Sequence, residues 1–486
     1  MKKHAGGSGA GRWGVLWAVA AAQLLVVLDG TIVNIALPSA DAQLGLGEDT
    51  RHWVISAYLL AFGGLLLIGG RVSGAIGHRR AFVIGLLGFA VASFLAGLAW
   101  NPAALIGARA LQGVFAALLA PAALSVLSLS FPDPRERGRA FGVFAAVGAT
   151  GSAIGLVLGG LLTEFASWRW CLYINVPIAV GAAVGAVLIP RLAPVPRTGR
   201  VDVLGGVLSA AGIAAIVLGI SRIETRAGVS PLVLGLLVGG IVLLTAFVLV
   251  ERRAAQPVLP LSVLTDRARA GSFIAIALMF LAMFGFYLFM SYYTQSQLSY
   301  SPIGAGGVLL IHALVALVGS VWIAGKLMGR VPARVLVVSG LLAAAAGLLV
   351  LTFLEADSSH VFAVYLLPAM VLTGLGMGLV ITPTASTATQ GVKGHDIGAA
   401  SATFNAAQQL GAAIGVALLN TVAVLSSTSY LSDQSATQTE AAIHGYTTAL
   451  AVGAGTLLAA AVVSAVMIRS RRPDDVSRTE RVRVAS

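Results

Sequence analysis

Two charged side chains lie inside stretches of sequence that are otherwise apolar. Asp29 belongs to LDGTIVNIALP at residues 28–38, and Arg109 belongs to ARALQGVFAALLAP at residues 108–121. A charge at the centre of a bilayer costs about 3 kcal/mol or more, so such residues usually face a protein interior and mark proton or substrate pathways. Because burial disfavours a charged carboxylate, Asp29 could bind a proton in one state and release it in another. The alternative is that Asp29 only hydrogen-bonds a neighbouring helix.

Arg109 is the candidate partner of Asp29. At 1.5 Å of rise per residue, Asp29 would lie roughly 13 Å below a helix end at Pro38, and Arg109 roughly 10 Å below a helix start at Pro102. The similar depths predict an ion pair, direct or through water, whose pairing changes when Asp29 is protonated. Gln112 follows Arg109 by about one turn and lies on the same helix face. The alternative is that Arg109 bonds only backbone carbonyls.

Other polar, aromatic and methionine side chains in the apolar stretches are candidates for contacts with a bulky ligand, because together they form an adaptable surface. The predicted cavity residues are Asn34, Tyr58, Gln112, Tyr287, Met290, His312, Asn405, Gln408 and Gln409. A structural role is the open alternative for His312 and for the amides of the second half. Tyr292 and Tyr293 are predicted instead to belong to an interfacial aromatic belt.

The elements that position these residues are membrane helices. The chain of 486 residues is 58% hydrophobic and 10% charged, with a mean hydropathy of +0.92, which excludes a water-soluble domain. A helix needs about 20 apolar residues to cross a bilayer. We find fourteen such stretches, at 13–38, 52–70, 81–100, 103–130, 139–163, 170–189, 202–221, 231–250, 271–293, 302–325, 335–354, 361–383, 398–425 and 445–468.

The distribution of basic residues predicts the orientation. With both termini placed in the cytoplasm, four of the 31 Lys and Arg residues face outward, namely Arg51, Arg169, Arg222 and Arg226, and only Arg109 lies within a span. This bias follows the positive-inside rule. We therefore interpret the net charge of +12 as a signal of orientation and anionic-lipid contact, and not of nucleic-acid binding.

An internal repeat predicts two related helix bundles. GSAIGLVL begins at Gly151, and GAAIGVAL begins 260 residues later at Gly411; Pro121 and Pro383 recur at nearly the same offset. The predicted organisation is an N-terminal six-helix bundle (1–190), an extra helix pair (191–255), a C-terminal six-helix bundle (256–470) and a cytoplasmic tail (471–486).

Glycines in the fifth span recur every four residues. This pattern leaves a groove in which a second helix can pack backbone against backbone. The predicted packing motif consists of Gly151, Gly155, Gly159 and Gly160.

The sequence carries no sign of enzyme chemistry. A single cysteine, Cys171, excludes an intrachain disulfide and a thiolate metal cluster. No GxxxxGK[ST] phosphate loop, HExxH zinc helix or constellation of nucleophile and base is present. We expect no enzyme activity, no metal and no cofactor, with the proton gradient as the source of energy.

These stretches together resemble the fourteen-helix drug:proton antiporter family of the major facilitator superfamily. LDGTIVNIALP and ARALQGVFAALLAP are similar to that family's motifs in helices 1 and 4, which implies proton-coupling roles for Asp29 and Arg109. SWRWCLYINVPI at 167–178 and VDVLGG at 201–206 also resemble the family's sequence. The resemblance implies two six-helix bundles with an extra central pair, working as a monomer by alternating access.

Three departures from that family concern its gate and its direction of transport. The loop between helices 2 and 3, which commonly reads GxLxDRxGRR, is GGRVSGAIGHRR here, with Gly74 and Ala75 in place of Asp and Arg. Leu156 replaces a proline of the export-associated motif, and Gln408 replaces an arginine. The predicted cytoplasmic gate loop consists of Gly70, Arg71, Gly77, Arg79 and Arg80, with a latch rebuilt around His78, Arg79 and Arg80.

We therefore expect a multi-pass protein of the bacterial cytoplasmic membrane that exports amphipathic drugs or antibiotics in exchange for protons. Its partners would be those substrates, protons and the lipid bilayer. The alternatives are a facilitator, a dedicated metabolite exporter of the same fold, or a membrane sensor that does not transport.

Overall fold

The described residues of a computed structural model are 9–47, 50–131, 133–186, 203–223, 230–253, 264–328, 330–390, 392, 397–433 and 436–468. These residues are almost entirely helical, and the one β-bridge among them joins Met328 and Val331. The predicted all-α class is confirmed. Two predicted segments, 191–202 at the start of the extra pair and the tail at 471–486, lie outside the described residues.

The helices follow the predicted order. Those of the first half are α1 (Gly9–Leu44), α2 (Trp53–Ile76), α3 (His78–Gly97), α4 (Pro102–Ser130), α5 (Pro134–Phe165), α6 (Trp170–Tyr173), α7 (Asn175–Gly185), α8 (Val203–Ser221) and α9 (Pro231–Arg253). Those of the second half are α10 (Arg267–Tyr292), α11 (Pro302–Val318), α12 (Ala333–Leu351), α13 (Leu367–Thr389), α14 (Ile397–Asp433) and α15 (Gln438–Met467). Each apolar stretch coincides with a helix, and α6 and α7 together form the sixth.

Most of these helices are long enough to cross a membrane. Within the described part of the chain, eleven helices have the necessary length and apolar composition, or twelve when α2, bent by 57° beyond Leu66, is one span. The apolar part of α5 (Thr150–Phe165) and the stretch formed by α6 and α7 (Trp170–Gly185) are shorter apolar helices.

One boundary is wrong in a way that matters for Asp29. The prediction ended the first helix at Pro38, whereas α1 continues through this proline to Leu44. Membrane helices tolerate an internal proline because neighbouring groups satisfy the freed carbonyl. Asp29 therefore lies roughly 22 Å, and not 13 Å, from the end of its helix, which places it nearer the middle of the span.

The chain divides into two compact units. Unit 1 comprises Met1–Val258 and Met290–Gly307. In it, α4 packs against α1, α2 and α3, while α1 also packs against α5 and α7. The pair α8 and α9 belongs to this unit, and His52 Nε2 on the α2 side lies 3.0 Å from Ser221 Oγ of α8. The predicted division into two bundles and a separate pair stays a prediction.

Unit 2 comprises Leu259–Phe289 and Val308–Ser486. Here α12 packs against α13 and α15, and α14 packs against α15. Close backbone approach joins α14 to α10, because a Cβ added at Gly411 or Gly415 would run into the backbone of Ala277 or Leu281.

The predicted glycine motif packs α5 against α1 in unit 1. A Cβ added at Gly151 would lie 3.2 Å from Leu24 Cδ1, and one added at Gly155 would lie 3.2 Å from the Leu28 carbonyl oxygen. Gly159 approaches Ile32 of α1 in the same way, while Gly160 faces Ile303.

The two units repeat this packing. The glycines recur at an offset of 260 residues (Gly155 to Gly415), and the residues they face recur at an offset of 253 (Leu28 to Leu281). The packing of α5 on α1 in unit 1 is therefore equivalent to that of α14 on α10 in unit 2, which confirms the internal repeat.

The substitution Gly155→Ala should destabilise the protein by about 1–3 kcal/mol, the usual cost of an overpacked contact. The added methyl group would press on the Thr31 side chain and the Leu28 carbonyl. The measurement is the temperature at which the detergent-solubilised protein loses monodispersity. Gly181→Ala is the control, since a Cβ there meets nothing within 4 Å. Equal melting temperatures of the two variants would contradict the prediction.

Candidate functional site

Asp29 and Arg109 form a direct ion pair inside unit 1. Arg109 Nη1 donates to Asp29 Oδ2 at 2.6 Å. The side chain of Asp29 is 0% exposed and that of Arg109 is 1% exposed. The predicted pairing is thus confirmed as a direct one, and α1 and α4 are joined by two charges that are hidden from solvent.

The backbone and a ring of α2 hold Arg109 on its other sides. Arg109 Nε donates to the Val54 carbonyl at 3.0 Å, and the guanidinium carbon lies 4.4 Å from the centre of the Tyr58 ring. α4 can approach α2 this closely because Gly113 has no Cβ to strike the Tyr58 backbone. Tyr58, which was predicted for the ligand cavity, therefore lies beneath the guanidinium.

Two amide side chains bind the second oxygen of Asp29. Gln112 Nε2 donates to Asp29 Oδ1 at 3.2 Å, and Asn175 Nδ2 of α7 donates to the same oxygen at 2.7 Å. Gln112 also donates to Ser93 Oγ at 2.6 Å and accepts from Arg109 Nη1 at 3.0 Å. Four elements, α1, α3, α4 and α7, thus meet around one carboxyl group.

Sequence reasoning found Asp29, Arg109 and Gln112 but missed Asn175 and Ser93. The signal for Asn175 was present, because it is an amide within the apolar stretch CLYINVPI. Ser93 gave no signal, since serine is common in membrane helices and its own helix can satisfy its hydroxyl.

The hydrogen bonds around Asp29 fit its ionised form. An ionised carboxylate only accepts hydrogen bonds, and here it receives them from Arg109, Gln112 and Asn175. A proton on Asp29 would turn one acceptor into a donor and remove the charge that Arg109 compensates. Protonation would therefore change this set of contacts.

A small cavity lies beside Arg109. Its volume of about 10 Å³ is close to the space that one water molecule needs. Apart from Arg109, its lining is largely apolar and comes from α1, α2, α4, α6 and Trp168. On α1 the lining residues run from Val33 to Ala40, so the cavity lies on the Leu44 side of Asp29.

The other predicted ligand contacts of unit 1 are buried. Asn34 Nδ2 bonds its own helix at the Gly30 carbonyl (3.1 Å), and Met290 is fully buried. Tyr292 and Tyr293, predicted as belt residues at the membrane surface, are 5% and 2% exposed. That prediction is wrong, because the Tyr292 hydroxyl donates to Asp41 Oδ2 at 2.8 Å within the protein.

The predicted ligand-contact residues of unit 2 form two groups, one on α10 and α11 and the other on α14. His312 and Tyr287 lie together, with ring centres 5.2 Å apart. On α14, Asn405 Nδ2 donates to its own helix at Ser401 O (3.0 Å), while Gln408 and Gln409 are half-buried. A ligand-binding role for these residues stays a prediction.

The residues predicted to form the cytoplasmic gate lie around the junction of α2 and α3, where the two helices are separated by a single residue. Gly77 connects α2 and α3 with φ +95°, a conformation that favours glycine. Arg79 Nε donates to the Ala186 carbonyl at 3.1 Å, and His78 Nδ1 lies 2.9 Å from Ser73 Oγ. Gly70 and Arg71 lie in the last turns of α2, and Arg80 is exposed. The role of these residues as a gate stays a prediction.

A bundle of apolar helices around a buried ion pair is the architecture of a multi-span membrane transport protein. The chain belongs to the Major Facilitator Superfamily, whose sequence model matches residues 19–416. It is accordingly a membrane transporter and not an enzyme.

Two relatives of the chain have names that refer to antibiotics. The chain is 50% identical over 463 residues to the puromycin resistance protein pur8 of Streptomyces alboniger, covering 95% of this chain and 92% of that protein. It is 40% identical over 405 residues to the cephamycin export protein CmcT of Amycolatopsis lactamdurans, covering 82% and 83%. The crystal structure of the POT family transporter PepTSo has the same fold, with a TM-score of 0.69 at 15% identity over 94% of this chain and 97% of that one.

Removing Arg109 alone should destabilise the protein more than removing both charges. Arg109→Met leaves the carboxylate of Asp29 buried without its cation, which costs about 3–5 kcal/mol. Combining it with Asp29→Asn removes the unpaired charge and should restore part of the loss. Thermal unfolding of the purified variants measures both effects. A double variant as unstable as the sum of the two single variants would contradict a direct energetic pairing.

Proposed function

We propose that this transporter exports antibiotic-like amphipathic compounds across the bacterial cytoplasmic membrane in exchange for protons. The names of its relatives support the substrate class, since one confers puromycin resistance and another exports cephamycin. The observation that supports the proton-coupling role is the fully buried ion pair, in which a proton on Asp29 would remove the charge that Arg109 compensates.

The proposed cycle begins with a proton that reaches Asp29 from outside. The cavity beside Arg109 supports this route, because it lies on the Leu44 side of Asp29, which the orientation proposed below places outside. Protonation breaks the ion pair, yet Arg109 keeps the Val54 carbonyl, the Gln112 side-chain oxygen and the face of the Tyr58 ring. The guanidinium therefore keeps two hydrogen-bond acceptors and a ring contact in both states.

Asn175 suits both protonation states of Asp29. Its Nδ2 donates to the carboxylate, while its Oδ1 is buried and has no hydrogen-bond partner among the described residues. Turning the amide by half a rotation would offer Oδ1 to a protonated Asp29, whose carboxyl group donates. One side chain can thus satisfy the charged and the neutral form.

Breaking the pair loosens α1 from α4, and the glycine face of α5 gives α1 a smooth surface along which to shift. We infer that this shift alternates the access of the substrate site between the two sides of the membrane. In the proposed arrangement both termini are cytoplasmic, the protein works as a monomer, and the proton gradient takes the place of a cofactor.

The variant Asp29→Asn should abolish substrate-driven proton release. Everted vesicles are loaded with acid, and a pH-sensitive dye follows the lumen as puromycin or a panel of lipophilic cations is added. The wild-type protein should release protons at once, whereas the variant should show less than about a tenth of that rate, because Asn cannot carry a proton.

Asp266→Asn is the matched control for that experiment. Asp266 is a carboxylate with an exposed side chain, outside the buried cluster, so its variant should behave as wild type. Export by wild type without proton movement would favour a facilitator and overturn the coupling. Undiminished proton release by Asp29→Asn would remove Asp29 from the mechanism.

Asn175→Leu should slow proton release while leaving the protein folded. Leucine has a similar volume but cannot donate to Asp29, and a hydrogen bond to a charged group contributes about 1.5–3 kcal/mol. We expect a rate at least about tenfold lower than that of wild type. The same vesicle assay measures it, with the melting temperature as a check of folding. A wild-type rate would show that Asn175 only packs.

A further inference from the structure

The repeat places His312 of unit 2 where unit 1 has Tyr58. A Cβ added at Gly113 would meet the backbone of Tyr58, the Cβ of Ala61 and the nitrogen of Phe62. One added at Gly374 would meet the backbone of His312, the Cβ of Val315 and the nitrogen of Ala316. The glycines are 261 residues apart, and all three partners recur at an offset of 254.

In the same alignment, the positions of the charged cluster are occupied by uncharged residues in unit 2. The residue before the glycine is Gln112 in unit 1 and Thr373 in unit 2, and the residue after Leu28 or Leu281 is Asp29 in unit 1 and Ala282 in unit 2. His312 and Thr373 thus form a polar pair at the positions of Tyr58 and Gln112, the two side chains that contact the ion pair in unit 1.

The hydrogen bonds of Thr373 fix the form of His312. Thr373 Oγ1 donates its proton to the Ala369 carbonyl at 2.6 Å. His312 Nδ1 lies 2.9 Å from Thr373 Oγ1 and must therefore be the donor in that bond. In the neutral ring, the second nitrogen, Nε2, is then an acceptor.

This acceptor is unused. His312 Nε2 is buried and has no hydrogen-bond partner in the described part of the chain. A buried polar atom without a partner costs about 1–3 kcal/mol. A group that donates to Nε2 would recover that cost, so the structure favours a ligand that carries an N–H or O–H group.

A row of aromatic rings on α10 leads to His312. Phe280, Phe284 and Tyr287 are half-buried and follow one another with ring centres 5.9 and 6.0 Å apart. Tyr287 then meets the His312 ring edge to face at 5.2 Å. Planar aromatic groups pack favourably on such rings.

The hydroxyl group of Tyr287 makes a weak hydrogen bond. The partner that the structure gives its hydroxyl is the thioether sulfur of Met377, at 3.9 Å. Because a thioether is a weak acceptor, turning the Tyr287 side chain away loses little hydrogen-bond energy, and its ring contacts with Phe284 and His312 are the main cost.

We propose that His312 Nε2 accepts a hydrogen bond from an N–H or O–H group of a planar aromatic substrate. The rings of this substrate stack on Phe280 and Phe284 once Tyr287 has turned aside. The inference rests on the proposed function as an exporter and names the class of compound that unit 2 recognises.

A set of four phenothiazinium dyes tests this inference. Thionin, azure A, azure B and methylene blue share one ring system and one positive charge. The first three carry at least one exocyclic N–H group, whereas methylene blue has dimethylamino groups only. Binding to the purified protein in detergent, without a proton gradient, is measured by fluorescence anisotropy.

Because one acceptor needs one donor, the dissociation constant should be similar for the first three dyes. It should rise about three- to tenfold for methylene blue, the effect of one hydrogen bond. A gain in affinity with each added methyl group, equal affinities, or no binding of any dye would overturn the proposal.

Variants test whether His312 is the acceptor. His312→Phe keeps the ring contacts and should abolish the discrimination against methylene blue. Thr373→Val frees both tautomers and should reduce the discrimination. Thr382→Val, which loses a bond to Ser320 just beyond the end of α11, should leave it unchanged. A His312→Phe protein that still discriminates as wild type would overturn the assignment. Should this variant fail to fold, the dye series on wild type and Thr373→Val decides alone.

The proposed function and this inference fail separately. Asp29→Asn should retain the wild-type order of dye affinities, because the site lies in unit 2. Substrate-driven proton release with no preference for N–H donors would remove the His312 site alone. The expected dye order without proton release would remove the antiport mechanism alone.

Discussion

The structure of unit 1 depends on one constraint: charges buried in a membrane protein must compensate each other. Asp29 and Arg109 can remain in an apolar bundle only because each is the other's counterion. This requirement fixes the distance between α1 and α4. The remaining polar atoms need partners as well, which brings Val54 of α2 and Asn175 of α7 to the same point. The packing of α1, α2, α4 and α7 is thus organised around this ion pair.

The sequence predicted this site to the extent that its members are rare in membrane helices. A lone Asp and a lone Arg stand out among apolar residues, and helix geometry gives their depths. Asn175 and Ser93 are ordinary residues of membrane helices, so only the fold shows what they contact. The end of α1 was misplaced because Pro38 stops most helices in water but not in a membrane. Tyr292 was misplaced because its partner, Asp41, is 251 residues away.

The two units share a backbone arrangement but differ in their polar residues. Glycines at equivalent positions hold α5 on α1 and α14 on α10, so the packing geometry is preserved. The ion pair of unit 1 is not repeated at the corresponding positions of unit 2, where Ala282 and Met370 stand in place of Asp29 and Arg109. In the proposed mechanism this difference separates two tasks, since a charge is needed to bind a proton and an uncharged aromatic surface suits an amphipathic compound.

Coupling between these tasks follows from thermodynamic linkage. If protonation of Asp29 releases α1 from α4, a substrate that binds more tightly to the released state must favour protonation by the same factor. The coupling cannot exceed the difference between the affinities of the substrate for the two states. The cost of reaching the released state is lowered by Val54, Gln112 and Tyr58, because they hold the guanidinium when Asp29 no longer does. Without these contacts, a neutral Asp29 would leave Arg109 as a buried cation with no partner. The cost would be similar to that of breaking a buried ion pair, about 3–5 kcal/mol. The contacts around Arg109 are therefore what makes the proposed exchange reversible.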